Sequence, residues 1–165
     1  MPAAKPRRLY AVRASGIHGK GVFATEKLKK GTRIIEYRGQ RASWDDAIER
    51  PASDPDDPNH TFFFELSDGR VIDGNVRGNA SRWINHSCDP NCESVEEDDG
   101  RVYIDARRKI KPEEELSYDY RLSLDGKIGK KELADYACHC GAKKCRGSML
   151  AKAAKKQKKR RKKKK

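Results

Sequence analysis

Three cysteines crowd into eight residues, Cys138-His139-Cys140-Gly-Ala-Lys-Lys-Cys145. Thiols at that spacing on one small loop form a metal-ligand set with a member missing. Zinc prefers four tetrahedral ligands, usually Cys or His, and a closed set of four makes a structural site. Cys88, Cys92 and His139 are the candidates for the fourth place, although His139, lying between two ligands, is expected to point away. Five cysteines in all, an odd number so clustered, favour metal over a disulfide framework. The C-x-C-x4-C spacing differs from that of C-x2-C nucleic-acid knuckles, so the module by itself predicts structural zinc and no more.

A second constellation is Asn85-His86-Ser87-Cys88-Asp89-Pro90-Asn91-Cys92, with amide, imidazole and thiol groups in one turn-rich stretch. A Cys/His nucleophile pair is one reading. A zinc-bound thiol is no free nucleophile, and His86 and Cys88 are expected to diverge in extended chain, which makes a hydrogen-bonded turn the default. Glu115-Leu116-Ser117-Tyr118-Asp119-Tyr120 sets two tyrosines on one strand face, by default the edge of a core. Gly19-Lys20-Gly21 matches neither a P-loop nor a dinucleotide fingerprint.

The elements that must position these groups are mostly short strands. Period-two stretches run through Tyr10–Arg13, Ile17–Ala24 and Thr32–Tyr37. Hairpins are expected around Ser67-Asp68-Gly69 (Thr61–Leu66 with Arg70–Asp73) and around Glu96–Gly100 (Cys92–Val95 with Val102–Ala106). Ser43 caps a short helix with acids in its first turn. Further short helices are expected at Ala80–Ile84 and near Lys130–Tyr136, and Pro51–Pro58 reads as loop. The fold class is mainly β with short helices.

Charge is divided unevenly along the 165 residues. Net charge is +13, but residues 152–165 hold 11 Lys and Arg and no acid. That leaves 27 basic against 25 acidic residues in 1–151, and without Lys5, Arg7 and Arg8 the body is at −1. A near-neutral domain wearing a basic tail points away from a basic DNA-binding fold, although the tail alone can contact nucleic acid. No apolar run approaches the ~18 residues needed to span a bilayer. The start, MPAAKPRRLYAV, lacks the apolar centre of a signal peptide. An intracellular protein is expected, without membrane contact, and the tail can be read as a nuclear or nucleolar address.

Five segments in one order carry a stronger signal: I-H-G-K-G-V-F-A (17–24), E-Y-R-G (36–39), R-W-I-N-H-S-C-D-P-N (82–91), E-L-S-Y-D-Y (115–120) and C-x-C-x4-C-R-G (138–147). Together they resemble the SET-domain protein-lysine N-methyltransferases that carry a post-SET zinc module, over about Leu9 to Leu150. The resemblance implies the SET fold, small curled β-sheets with a C-terminal pseudoknot. That threading brings Arg82–Cys88 beside Ser117–Tyr120. The chain then divides into a flexible basic arm (1–8), the SET domain (9–124), the post-SET module (125–150) and a disordered Lys/Arg-rich tail (151–165).

By the same resemblance, S-adenosylmethionine is the co-substrate, wrapped by Gly19, Lys20, Gly21 and Val22 and enclosed by Arg82, Asn85 and His86. Tyr120 matches the catalytic tyrosine, Tyr118 the residue that tunes how many methyls are added, and Tyr37 a tyrosine near the lysine channel. Cys88 matches the fourth ligand of a structural Zn2+ beside Cys138, Cys140 and Cys145, leaving Cys92 without a role. Many relatives have an aromatic after C-R-G; here Ser148-Met149-Leu150 follows, so Met149 or Leu150 covers the adenine.

The implied activity is lysine N-methylation of a histone tail or another basic protein, favouring mono- or di-methylation. The acidic runs Asp54–Asp57, Glu96–Asp99 and Glu113–Glu115 supply charge for such a peptide. The competing reading is a catalytically weak SET-fold chromatin or nucleic-acid-binding protein tethered by its tail.

Overall fold

The computed structural model describes residues 7–51, 62–123 and 127–151. The acidic run Asp54–Asp57, the first residue of the expected strand at Thr61, the 124–125 boundary, the tail from residue 152 and the arm up to residue 6 lie outside them. In chain order the strands are β1 (Tyr10–Ala14), β2 (Lys20–Ala24), β3 (Arg33–Glu36), β4 (Gln40–Ala42), β5 (Phe63–Glu65), β6 (Val71–Asp73), β7 (Asn85–His86), β8 (Cys92–Glu96), β9 (Val102–Ala106) and β10 (Ser117–Tyr118). Two short α-helices, α1 (Trp44–Ile48) and α2 (Lys130–Asp135), and a 3-10 helix at Ala80–Trp83 complete the set. The mainly β class is as expected. Among the described residues no helix is long and apolar enough to cross a membrane.

Four small sheets result: β1-β2, β3-β9-β8, β4-β6-β5 and the parallel pair β10-β7. β9 shows why the chain folds this way. Val102, Ile104 and Ala106 are buried while Tyr103 and Asp105 are half-buried, an alternation matching the two-residue period of a strand. Full burial of a side chain such as Ile104 stabilises by roughly 1.5–3 kcal/mol. Ile34 and Ile35 are consecutive yet both buried, because the β3-β9 register shifts between Arg33 and Ile35. Such a bulge turns successive side chains to one face. At α1, the Ser43 hydroxyl accepts from the Asp46 N–H at 3.1 Å, and Asp45 and Asp46 occupy the first turn.

Two elements escaped the sequence pattern. β4 pairs antiparallel with β6, and its three residues are too few for a period to register. β7 falls in the stretch expected to be a turn; its two residues pair with β10, Asn85 with Ser117 and His86 with Tyr118. Buried Asn91 seats β10: its Oδ1 accepts from the Ser117 N–H at 2.9 Å and its Nδ2 donates to the Glu115 carbonyl at 2.8 Å. The main core gathers Val22, Leu28, Ile84, Ile104, Ile110 and Leu116 beneath these strands.

Candidate active site and metal centre

The β10-β7 pair is the centre of the site. Tyr118 and Tyr120 have ring centroids 4.8 Å apart, and Phe64 lies 6.5 Å from Tyr118. Tyr37 continues the aromatic cluster, 5.2 Å from Phe64. Sequence reasoning missed Phe64, since an aromatic in a hairpin strand reads as core. The Tyr37 hydroxyl donates to the Phe62 carbonyl at 2.9 Å, and the Tyr120 hydroxyl donates to the Ile84 carbonyl. The Tyr118 hydroxyl has no hydrogen-bond partner among the described residues. Burial raises all three phenol pKa values well above the ordinary range, so the hydroxyls stay protonated.

Asn85 and His86 are both buried, and each fastens one side of this cluster. The Asn85 amide Nδ2 lies within donor reach of the Ser15 hydroxyl (3.1 Å), the His18 and Lys20 carbonyls (3.2 and 3.0 Å) and Glu115 Oε1 (2.9 Å). It thereby pins the loop that carries Gly19. His86 Nδ1 accepts from the Tyr120 N–H at 3.0 Å, and Nε2 lies 3.4 Å from Cys88 Sγ. Burial lowers the imidazole pKa to about 4, so the ring is neutral and Nε2 carries the proton toward sulfur. The expected divergence of His86 and Cys88 is therefore corrected: residues two apart in extended chain share a face.

The two glycines do different work. Gly19 has φ +46°, and a Cβ there would meet nothing within 4 Å, so the loop needs its left-handed backbone. At Gly21 a Cβ would overlap Glu115 Oε1 and come within 3.1 Å of Ser15 Cβ. The Glu115 carboxylate already accepts from the Ser15 hydroxyl at 2.7 Å. Ser15 lies outside every sequence motif, and Glu115, although it opens E-L-S-Y-D-Y, was given no part in the site. Val22 is fully buried in the core, so its side chain anchors the loop rather than lining a pocket. Lys20 Nζ stands 4.8 Å from the Trp83 ring centroid, with the Arg82 guanidinium on the same ring at 4.8 Å. Arg82 Nε is buried with no partner among the described residues.

Cys88, Cys138, Cys140 and Cys145 bring their Sγ atoms within 4.8 Å of one another. Cys88 Sγ is 3.7 Å from that of Cys138 and 3.9 Å from that of Cys145. Zn–S bonds of ~2.3 Å in a tetrahedron require sulfurs about 3.8 Å apart. The thiol spacing fits zinc and is far too long for a disulfide. Backbone N–H groups of Arg146 and Gly147 reach Cys88 and Cys145 Sγ, each at 3.3 Å, as donors that would steady thiolates were a metal held there. His139 is exposed and Cys92 is buried in β8, so neither joins the cluster. Arg146 then clamps Asp119, between the two tyrosines, with bonds of 2.7 and 3.0 Å.

Residues 19–121 match the family described as SET domain. The chain belongs to the SET-domain family. It is 39% identical to the Drosophila melanogaster "Histone-lysine N-methyltransferase trr" over 138 residues, 82% of this chain and 6% of that protein. It is 41% identical to "Histone-lysine N-methyltransferase TRX1" of Oryza sativa subsp. japonica over 147 residues, 86% of this chain and 14% of the relative. With the human "Histone-lysine N-methyltransferase 2B" the identity is 36% over 141 residues, 80% and 5% of the two chains. This SET-domain chain thus spans only a small part of the curated relatives it matches. The SET match ends at Tyr120-Arg121, just past the paired tyrosines, and three of the four clustered cysteines lie beyond it.

Proposed function

We propose that this chain is an S-adenosylmethionine-dependent protein-lysine N-methyltransferase acting on a histone or another basic protein and adding one or two methyl groups. The observation that carries the reading is the Tyr37–Phe64–Tyr118–Tyr120 cluster, fastened to the Gly19 loop through Asn85 and to the thiol cluster through His86.

The chemistry needs a neutral lysine amine, and a free lysine has a pKa of ~10.4, so deprotonation at pH 7.4 costs about 4 kcal/mol. Burial in an apolar channel disfavours the ammonium and lowers that cost. Bound S-adenosylmethionine supplies an electrophilic methyl on a sulfonium. Tyr120 has its hydrogen committed to the Ile84 carbonyl, so its oxygen lone pairs are left to accept from the incoming amine. Alignment of the two reactants then provides most of the rate. The lysine proton leaves to water. No side chain here serves as base, because the three phenols are protonated and both His86 nitrogens are engaged.

Cofactor contacts are assigned to the Gly19-Lys20-Gly21 backbone, to the orphaned Arg82 Nε as donor and to the Asn85–His86 strand; Val22 holds the loop from the core. Met149 covers the adenine, since Leu150 is buried. The Cys88, Cys138, Cys140 and Cys145 thiols hold a structural zinc. Chromatin as the place of action is supported by the names of the relatives and by the basic tail.

Labelled methyl transfer from S-adenosylmethionine to a panel of core histones, with a heat-killed control, tests the reading. Label on one histone is expected. Cofactor binding without histone label redirects the substrate to other basic proteins, and absence of cofactor binding overturns the proposal.

Two variants probe finer points. Gly21→Ala is expected to displace the Glu115 carboxylate, loosen the Asn85 anchor and weaken S-adenosylmethionine binding about tenfold, roughly 1.4 kcal/mol. Calorimetric titration checks it, and an unchanged Kd would mean that the Glu115 anchor is irrelevant to the cofactor. Tyr118→Phe removes the one phenol hydroxyl of the three without a hydrogen-bond partner among the described residues and opens space beside the amine. The product is expected to gain at least one methyl, read by mass spectrometry on a lysine peptide; the same product distribution from both proteins would sink the assignment.

A further inference from the structure

Residues 27–30 and 107–111 meet at one corner of the protein. Leu28 and Ile110 form an antiparallel bridge, each N–H donating to the other's carbonyl at 2.9 Å, and both side chains are buried. Their neighbours point out. The register sets Lys27 across from Lys111 and Lys29 across from Lys109. Gly31 N–H bonds to the Ala106 carbonyl at 2.8 Å, which carries Lys30 and Arg107 into the same corner. All of these cations are exposed. Lys27 and Lys111 press close enough on Lys109 to lower its ammonium pKa.

The nearby acids are spoken for. Glu26 pairs with Arg7 at 2.8 Å, Glu113 with Arg13, and Glu114 with Arg108 at 2.9 Å. Among the described residues no carboxylate reaches Lys27, Lys29, Lys30, Arg107, Lys109 or Lys111. Like charges directly opposite on paired strands destabilise, so the fold holds six cations together without internal compensation.

We infer that this corner is a docking surface for the phosphate backbone of nucleic acid. Charge complementarity carries the choice of partner. Among the described residues none of the large exposed apolar side chains, Val12, Trp44, Ile48, Ile128 and Leu133, belongs to segments 27–30 or 107–111, so these segments offer no side chain to insert into a lipid surface. Lysine is depleted at the cores of protein–protein interfaces, which argues against an acidic protein. Five of the seven cations, counting the paired Arg108, are lysines, mobile point charges suited to sequence-independent contact. None of its residues belongs to the tail segment or to the aromatic site.

The test uses the full chain carrying Lys27→Gln, Lys29→Gln, Lys109→Gln and Lys111→Gln together, with duplex DNA of random sequence as probe. Affinity is expected to fall at least tenfold at physiological salt. The slope of log K against log salt is expected to shrink by about 0.9 for each phosphate that the variant no longer neutralises. The four Lys→Arg replacements are expected to keep both, and circular dichroism and melting temperature to match the parent in either variant. Unchanged Kd and slope in the Gln variant overturn the inference and leave the tail as the sole nucleic-acid contact. Equal competition by a polyglutamate peptide, or loss of binding to anionic vesicles but not to DNA, overturns it as well.

Discussion

Tyr120→Phe lowers methyl transfer by about 10²–10³-fold, the scale set by removing one preorganised polar group from a reacting centre, roughly 2.7–4 kcal/mol. The expected loss is in kcat more than in KM, because in the proposed mechanism the hydroxyl acts on the amine as it aligns rather than on the bulk of the peptide. The ring remains, so its 4.8 Å packing on Tyr118 and its edge contact with His86 at 5.3 Å survive. The Ile84 carbonyl loses its donor, and stability falls by about 1–3 kcal/mol. Kinetics and melting on the same preparation separate the two effects. A folded Tyr120→Phe protein that keeps more than a third of the parent kcat would remove Tyr120 from the mechanism.

Loss of metal from the thiol cluster gives the second large effect. Cys88 stands 50 and 57 residues before Cys138 and Cys145 in the chain, so the cluster ties the C-terminal module to the segment that carries Asn85 and His86. Metal binding contributes folding free energy to the small module that it closes. Strong chelation, or Cys138→Ser, is expected to cut methyl transfer more than 100-fold and to lower Tm by several degrees. The β3-β9-β8 sheet and its core keep their strand signal, because no cluster thiol lies in them. Arg146 would release Asp119, and the His86 ring would lose its sulfur neighbour, loosening both sides of the tyrosine pair. Elemental analysis is expected to find one zinc per chain. A zinc-free preparation with full activity would contradict the assignment.

Local pattern made much of this legible. Strand alternation in Val102–Ala106, the Ser43 cap and the two hairpins follow from interactions between residues close in sequence, and their signals are correspondingly local. The motif segments proposed site residues by resemblance, while Ser15 and Phe64 lay outside every segment and Glu115, inside one, was given no role. Their parts depend on partners 30–100 residues away, such as the Ser15–Glu115 hydrogen bond across 100 positions, and no periodicity encodes that.

Taken by itself, the sequence determined the β-rich class, a C-x-C-x4-C half-site for metal, the two tyrosines spaced for one face, and a near-neutral body with a basic tail. Residue type and spacing left the fourth member of the cluster open; the resemblance named Cys88, and the tertiary structure places its thiol there. Cys88, Cys92 and His139 were all candidates, His139 the least suited by its place between two ligands; in the fold Cys88 follows β7 to the module and Cys92 is buried in β8. Tertiary structure decided that Gly21 is glycine because a carboxylate lies over it. And it decided the charge pattern. Net charge is a sum blind to position, whereas the Leu28–Ile110 bridge stacks one lysine-rich run on another, and the field at a surface depends on where the charges stand.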